Sequence, residues 1–447
     1  MSEVSTSGDG RRESAGFELS ARALAEVRNR PFGIYVHVPF CATRCGYCDF
    51  NTYTAGELGT SSSPQSWMEA LRRELDVAAE MMVGPAVDTI FVGGGTPSLL
   101  GGDGLVDVLD AIRTSFGVAR GAEVTTESNP ESTSPEFFDR LWAGGFTRVS
   151  LGMQSAAQHV LRVLDRTHTP GRAQAAALEA RAAGFEHVNL DLIYGTPGER
   201  DEDLDASLDA VLAAGVDHVS AYALIVEDGT ALARKVRRGE LPAPDDDVLA
   251  SRYERIDARL SAAGLTWYEV SNWARASEAT GDLRRASEAT GDLRRASEAT
   301  GDLRLASEAT GDLRLASEAT GESRCRHNLG YWDGGNWWGA GPGAHSHVGG
   351  VRWWNVKHPA RYAEELAAGR LPVGGSEQLT AEDLHVERVM LTARLRTGLP
   401  VAELDAEEQC AAEEVVADGL LVREGNRFVL TDRGRLLADA VVRTVLR

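Results

Sequence analysis

Three cysteines fall within eight consecutive residues, in the run Cys41-Ala-Thr-Arg-Cys45-Gly-Tyr-Cys48, directly after the apolar segment GIYVHVPF. Thiolates are soft ligands suited to iron–sulfur clusters, and a short loop can wrap three of them around one face of a cube. Three cysteines would leave one iron free for an exchangeable small molecule. A zinc site normally has a fourth protein ligand, and His37 stands on the wrong side of the turn. The spacing therefore predicts a [4Fe–4S] cluster on the three cysteines.

The composition limits the partners and the compartment. The 447 residues carry 46 Lys and Arg against 67 Asp and Glu, a formal net charge of −21. Such acidity argues against broad nucleic-acid binding, which needs basic residues to neutralise phosphates, but it leaves room for local basic pockets that bind carboxylates or propionates. The sequence has no secretory segment and no apolar run near the roughly 20 residues of a membrane span. We expect a cytoplasmic protein with no nucleic-acid partner and at most peripheral membrane contact.

Short apolar runs alternate with Ala- and Leu-rich helical segments between residues 33 and 274. Six β/α units of this kind predict an α/β fold with a parallel sheet covered by helices on its outer face. The pattern alone does not separate a barrel from a doubly wound sheet. Glycines and polar residues follow the strands, at the edge where barrel folds build their sites. The six strand candidates begin at Gly33, Asp88, Glu123, Arg148, His187 and His218.

The rest of the chain divides by composition. Five tandem decapeptides, RASEATGDLR with slight variation, each offer one Leu to bury, which favours a flexible surface loop over a solenoid; a partner-binding or helical arm is the alternative. The last segment combines helices with two short strands and resembles a winged helix whose acidity favours protein contact over DNA binding. The predicted regions are a disordered leader (1–30), the barrel (31–274), the repeats (275–324), an aromatic-rich box with a linker (325–378) and the C-terminal domain (379–447).

A second motif follows the repeats, where Cys325-Arg-His-Asn-Leu-Gly-Tyr-Trp332 contains an H-N-x-x-Y-W box. Histidine is a common axial ligand of heme iron, and aromatic rings offer flat apolar area against a porphyrin. His327 is the first candidate ligand, with His345 and His347 as lesser ones. Cys325 is either a further ligand or a passive small hydrophobe. Taken alone, an aromatic cluster is more often part of a core than of a cofactor site, so the residues leave both readings open.

The cysteine loop and its context, GIYVHVPFCATRCGYCDF, resemble the radical S-adenosylmethionine (SAM) superfamily, and within it the family of anaerobic coproporphyrinogen III oxidases and their relatives. The resemblance runs from about Gly33 to the C-terminus. It implies a partial (β/α)6 barrel in which SAM binds the open iron through its amino and carboxylate groups. The residues that it implies as SAM contacts are Tyr35, Tyr47, Gly94, Gly95, Thr96, Glu127, Gln154, Arg166 and Asp191.

One position separates two subfamilies. The oxidases carry a fourth cysteine two residues after the third, and Phe50 stands there in this sequence. The Asp-Phe pair is similar to the HemW subfamily of heme chaperones, and the H-N-x-x-Y-W box is similar to its heme-binding box. The resemblance thus implies heme at His327 and heme transfer to acceptor hemoproteins such as respiratory enzymes, without catalysis. The alternative is an oxygen-independent coproporphyrinogen III oxidase that uses SAM as a radical source.

Overall fold

The computed structural model describes residues 17–27, 30–82, 86–275 and 323–447. Residues 1–16 and 276–322 hold most of the expected leader and nearly all of the expected repeat array. They lie outside the described residues, so the disordered leader and the flexible loop stay predictions there.

Six parallel strands form the centre of the fold, and they contain the six apolar runs predicted from the sequence. Most of their residues are buried on both faces, as in parallel sheets that are covered by helices. The expected β/α alternation is therefore confirmed. The strands are β1 (Phe32–Val38), β4 (Val87–Gly94), β5 (Val118–Ser128), β6 (Arg148–Gln154), β7 (His187–Tyr194) and β8 (His218–Ala223), and the short β2 (Phe40–Cys41) and β3 (Tyr53–Thr54) lie between the first two along the chain.

Helices follow the strands and pack their apolar faces on the outside of the sheet. Helix α5 shows how the sequence sets their ends, because the Ser134 side chain caps its first turn and Gly145 ends it in a left-handed conformation. Within the described ranges, none of the helices is long and apolar enough to cross a membrane. The helices of this part are α1 (Ala21–Val27), α2 (Ala55–Leu58), α3 (Pro64–Met82), α4 (Gly101–Ser115), α5 (Pro135–Gly144), α6 (Gln158–Val163), α7 (Arg172–Ala182), α8 (Asp201–Ala213), α9 (Ala231–Arg237) and α10 (Asp246–Ala262).

The sheet extends beyond the six strands on both sides. Past β8 it continues with β10 (Asn272–Arg275) and β9 (Leu265–Glu269), both antiparallel. On the other side β11 (Asn336–Ala340) pairs with β1 in parallel. Three antiparallel strands complete that side, namely β12 (His345–Val348), β13 (Val351–Asn355) and β14 (Val373–Gln378). Helix α11 (Arg326–Trp332) precedes β11, and α12 (Pro359–Ala367) joins β13 to β14.

This extension corrects the expectation of a linker over residues 325–378. Trp338 and Trp353 are fully buried, so most of the area of these rings belongs to the core rather than to a cofactor site. A buried carboxylate fixes the segment to the barrel: Glu74 of α3 accepts hydrogen bonds from Trp338 Nε1 (3.3 Å), Asn355 Nδ2 (2.7 Å) and Tyr362 Oη (2.5 Å). Because a buried charge needs several partners, this network holds the extension in place.

Two further boundaries differ from the expected ones. Helix α1 lies within the stretch expected to be disordered to residue 30 and buries Ala23 and Val27 against the core, so that expectation is wrong for residues 21–27. At the repeat array, the buried Arg148 guanidinium donates to the backbone carbonyls of Ser323 (2.9 Å) and Arg324 (3.1 Å). The last residues assigned to the array thus belong to the barrel, because a buried guanidinium needs these acceptors.

The C-terminal residues form a small domain with its own apolar core around Leu399, Phe428 and Val441. Its three strands form an antiparallel sheet in the order β15-β17-β16, and helices pack on it. Arg435 joins it to the barrel through Asp257, with 2.6 Å between Nη2 and Oδ2. The elements are α13 (Ala381–Thr392), β15 (Leu399–Pro400), α14 (Ala406–Ala417), β16 (Leu421–Glu424), β17 (Arg427–Leu430), α15 (Asp432–Leu436) and α16 (Ala438–Val445).

Candidate functional site

A cavity of about 440 Å³ opens at the carboxyl ends of the parallel strands, and we call it the cluster cavity. The loop after β1 and the ends of β4 to β8 form its wall. This is the edge where parallel α/β folds build their sites. The wall brings together eleven of the twelve residues predicted to hold the cluster and SAM: Cys41, Cys45, Tyr47, Cys48, Gly94, Gly95, Thr96, Glu127, Gln154, Arg166 and Asp191.

The three cysteine side chains are half-buried on one side of this cavity. Burial raises the pKa of Cys41, and burial with the neighbouring Cys45 and Cys41 raises the pKa of Cys48 to about 11. Within the described ranges, no three His, Cys, Asp or Glu side chains converge on a position for a single metal ion. In a cubane each thiolate binds a different iron, so three thiols spread along one wall fit a cluster better than one ion. His37 offers no fourth ligand, because Tyr35 and the Asn51 carbonyl already occupy its ring nitrogens.

Tyr35 is the predicted SAM contact that does not lie on the wall. It sits in the middle of β1, where its hydroxyl group is 3.1 Å from His37 Nδ1 and its ring stacks on Phe91. The cavity opens beyond the end of the strand, so this side chain lies below it inside the barrel. A contact between Tyr35 and SAM stays a prediction, and the cavity wall does not support it.

The glycine loop at the end of β4 is tight for a packing reason. Gly94 has φ +109°, and a Cβ there would lie 2.7 Å from the His37 ring; a Cβ on Gly95 would lie 2.5 Å from the Phe40 carbonyl oxygen. The backbone amides of this loop donate to groups of the protein itself. Gly94 N–H donates to Glu127 Oε2 (3.0 Å), Gly95 N–H to Val38 O and Thr96 N–H to Phe40 O. The glycines allow the loop to approach β1, and the carboxylate of Glu127 is fixed as a result.

Charged groups of both signs line the inner part of the cluster cavity. Burial and the nearby Asp191 raise the pKa of Glu127 to about 7. Burial also raises the pKa of Asp191, which accepts hydrogen bonds from Ser150 Oγ (3.1 Å) and Asn189 Nδ2 (2.7 Å). Burial alone would lower the pKa of Arg166, but the adjacent Tyr47 and Cys45 have the larger combined effect and raise this pKa above its usual value. The guanidinium therefore stays charged. Two carboxyl groups and one guanidinium suit a ligand that carries both an ammonium and a carboxylate group.

Backbone strain is concentrated at this cavity. Among the described residues, Gln154 (φ +67°) and Asp165 (φ +53°) are the two non-glycine residues with positive φ, and both line the wall. Such a conformation costs about 1–3 kcal/mol and persists where the surroundings fix it, often at a functional site. Sequence reasoning found Gln154 by its position at a strand end. It missed Asp165, because nothing in the local sequence marks a residue that turns after α6 and pairs with Lys235.

A second cavity, of about 770 Å³, lies at the opposite edge of the sheet, and we call it the basal cavity. The first residues of β1, β4 and β11 line it, together with α11 of the H-N-x-x-Y-W box. His327 Nδ1 is 2.9 Å from Thr89 Oγ1, and its Nε2 is 2.8 Å from Tyr331 Oη. Burial lowers the pKa of His327 to about 4, so the ring is neutral near pH 7. A bond from Nε2 to iron requires Tyr331 to move away.

The other predicted heme ligands differ in how accessible their donor atoms are. His347 Nδ1 donates to the Gly335 carbonyl (2.8 Å), and its Nε2 has no partner among the described residues. His347 is the cross-strand neighbour of Trp337, a basal-cavity residue, and their ring centroids are 5.2 Å apart. His345 is exposed and stacks on Trp354. Cys325 is buried, and its Sγ lies 3.3 Å from Glu123 Oε1, so it does not reach the cavity.

Comparisons with known proteins show which family the chain belongs to. Residues 35–211 match the family model of the Radical SAM superfamily, and residues 379–437 match that of the HemN C-terminal domain. A protein named heme chaperone HemW from Mycobacterium tuberculosis is 60% identical over 95% of this chain and 97% of its own length. The chain belongs to the HemW family. Heme chaperone HemW from Escherichia coli is 28% identical over 94% of this chain and 99% of its own.

The solved structure of coproporphyrinogen III oxidase (HemN) from Escherichia coli, a radical SAM enzyme, shares the fold. Its TM-score is 0.74 at 22% identity, over 95% of this chain and 92% of that chain. The expected α/β radical SAM fold with a C-terminal domain is therefore confirmed for this member of the HemW family.

The raised pKa of Glu127 predicts a pH-dependent stability. The folded protein holds this proton to about pH 7, whereas an unfolded Glu loses it near pH 4.5, so the folded state binds more protons between these values. The contribution of Glu127 to the free energy of unfolding therefore falls as the pH rises from 5 to 7. In cluster-free protein, we expect Glu127→Gln to change the difference in the free energy of unfolding between pH 5 and pH 7 by about 2 kcal/mol, because the variant lacks this contribution. Melting temperatures of the unaltered chain and of the variant at pH 5 and pH 7 measure this contribution. If the two proteins show the same difference in melting temperature between the two pH values, the raised pKa of Glu127 is contradicted. The pKa of Glu269 is also raised to about 7, and this residue is unchanged in the variant, so its contribution to the pH dependence of stability remains.

Proposed function

We propose that this chain is a cytoplasmic heme chaperone that binds a [4Fe–4S] cluster, SAM and heme and passes the heme to acceptor hemoproteins such as respiratory enzymes. The observation that carries the proposal is the presence of two cavities at opposite edges of one sheet. The cysteines line one, and the H-N-x-x-Y-W box lines the other. Relatives named heme chaperone HemW, one at 60% and another at 28% identity, support the assignment.

The residues of the cluster cavity fit the cluster and SAM. The three thiols would hold three irons and leave the fourth open. Glu127 and Asp191 would face the ammonium group of SAM, and Arg166 would face its carboxylate, because these side chains supply the opposite charges on the same wall. SAM on a reduced cluster can supply a radical, and the protein contributes position and exclusion of water.

The separation of the cavities favours transfer over oxidation of a porphyrin. Thr89 lines the basal cavity and Gly94 the cluster cavity, and the two lie five steps apart along β4, about 17 Å at about 3.3 Å per residue. A radical formed at the cluster must touch the bond that it attacks, so it cannot reach a porphyrin beside His327.

The alternative, an oxygen-independent coproporphyrinogen III oxidase, would place the porphyrin in the cluster cavity. The likeness of fold to HemN keeps it open. Phe50, however, stands at the cavity with 59% of its surface exposed, where the oxidases have a fourth cysteine. Incubation with coproporphyrinogen III, SAM and a reductant without oxygen separates the two functions, since only the oxidase would form vinyl product.

The cluster assignment predicts which cysteines are needed. After anaerobic reconstitution with iron and sulfide, we expect the unaltered chain to show iron–sulfur absorbance and an EPR signal upon reduction. The triple variant of Cys41, Cys45 and Cys48 to Ala should lose both, because these are the thiols on the wall. The exposed Cys410 provides the matched control, and Cys410→Ala should load iron normally. Normal loading of the triple variant would contradict the proposal.

The heme assignment predicts a spectral change with hemin. We expect a Soret shift when hemin binds, and a weaker shift in His327→Ala, because this ring is the ligand of the H-N-x-x-Y-W box. His347→Ala is the informative comparison, since its Nε2 lacks a partner. If the Soret shift is lost in His347→Ala and kept in His327→Ala, His347 of β12 is the iron ligand instead of His327. An unchanged hemin spectrum with the unaltered chain would contradict heme binding altogether.

A further inference from the structure

We propose that the basal cavity binds the two propionate groups of heme through four arginines, Arg30, Arg120, Arg326 and Arg388, which we call the arginine collar. The inference rests on the proposed heme-binding function and adds to it the chemical groups that the site recognises. The four side chains line one cavity but come from separate parts of the chain: the segment before β1, strand β5, helix α11 and helix α13 of the C-terminal domain.

The charge of this cavity is opposite to that of the whole protein. The chain has a net charge of −21, yet among the described residues four arginines and only two acidic residues, Asp88 and Asp333, line the basal cavity. Asp88 already accepts the backbone N–H of Phe32 (2.9 Å). His327 adds no charge near pH 7 because burial lowers its pKa to about 4. The excess of two positive charges matches a ligand with two carboxylates.

Three of the collar guanidinium groups have no carboxylate partner among the described residues. Arg30 donates to the backbone carbonyls of Asp333 (2.9 Å) and Gly334 (3.1 Å), and Arg326 donates to the carbonyl of Gly121 (2.5 Å). The Arg120 side chain is exposed, and its guanidinium makes no hydrogen bond or ion pair with the described residues. A guanidinium has five N–H donors, so each of these groups keeps donors for a carboxylate.

The fourth member, Arg388, is only loosely paired. Its Nε lies 3.8 Å from Glu403 Oε2, at a site where both side chains are more than a third exposed. Exposed pairs of this kind contribute little, so a bound carboxylate can compete for the guanidinium. Because Arg388 belongs to the C-terminal domain, the proposal makes that domain part of the heme site.

The remaining wall of the basal cavity is suited to a flat ring. Tyr331 and Trp337 lie next to the collar, with their ring centroids 4.6 Å apart and the planes nearly perpendicular. Aromatic faces provide apolar area for a porphyrin, and the cavity has the size of typical cofactor sites, about 300–1,000 Å³. Carboxylate-binding groups thus border an aromatic wall, which is the combination that an amphipathic porphyrin requires.

The test compares hemin with hemin dimethyl ester, which has the same ring and iron but no carboxylates. Both are titrated in the same dilute detergent and followed by Soret absorbance. We expect the unaltered chain to bind hemin at least about tenfold more tightly than the ester, since charge-assisted hydrogen bonds form only with hemin. The double variant Arg120→Ala with Arg388→Ala should reduce hemin affinity to near that of the ester and leave ester affinity unchanged. Arg72→Ala, at an exposed arginine on α3, is the matched control and should change neither.

Equal affinity for hemin and the ester would overturn the collar while heme binding stands. So would unaltered hemin affinity in the double variant. Absence of binding for both porphyrins would refute the proposed function itself, and the inference with it. Unchanged ester affinity in the double variant shows that the variant is folded, so a selective loss of hemin affinity supports the collar.

Discussion

Parallel pairing on both sides of β1 determines where the chemistry of this protein can lie. Its partners β4 and β11 run in the same direction, so residues that follow the strands gather at one edge and residues that precede them gather at the other. Cys41 follows β1 and reaches the cluster cavity. Gly33, its second residue, packs against His327, and a Cβ there would lie 2.9 Å from Thr89 Oγ1 and 3.2 Å from His327 Cε1. One strand thus carries both sites and keeps them apart.

A chain of buried hydrogen bonds connects the two edges through the barrel interior. Burial lowers the pKa of His218 to about 3, so the ring is neutral, and it bridges Asn189 (2.7 Å) and Tyr268 (2.8 Å). Buried polar groups need hydrogen-bond partners, and each residue of this chain of hydrogen bonds is bonded to the next. These bonds fix the start of α11 against the base of the barrel. The members from the cluster cavity to the basal cavity are Asp191, Asn189, His218, Tyr268, Cys325, Glu123 and His327.

The sequence predicted those features that local pattern controls. Six apolar runs gave the six central strands, and residues such as Glu127 and Asp191 met because parallel strands end at one edge. Strand β11 was missed, because its partner β1 lies about three hundred residues away and the repeats interrupt the chain before it. Tyr35, which the resemblance implies as a SAM contact, lies below the cluster cavity, because a sequence resemblance does not show how deep in a barrel a side chain lies. The arginine collar left no local signal, since its members come from four distant segments.

The distance between cluster and porphyrin tests the two-site account most directly. Pulsed EPR can measure it in protein that carries the reduced cluster and copper(II) protoporphyrin, whose unpaired electron survives the reductant. The account predicts a separation of about 15 Å or more, set by the length of β4 between the two cavities. A separation of only a few ångströms would place the porphyrin in the cluster cavity and contradict the account.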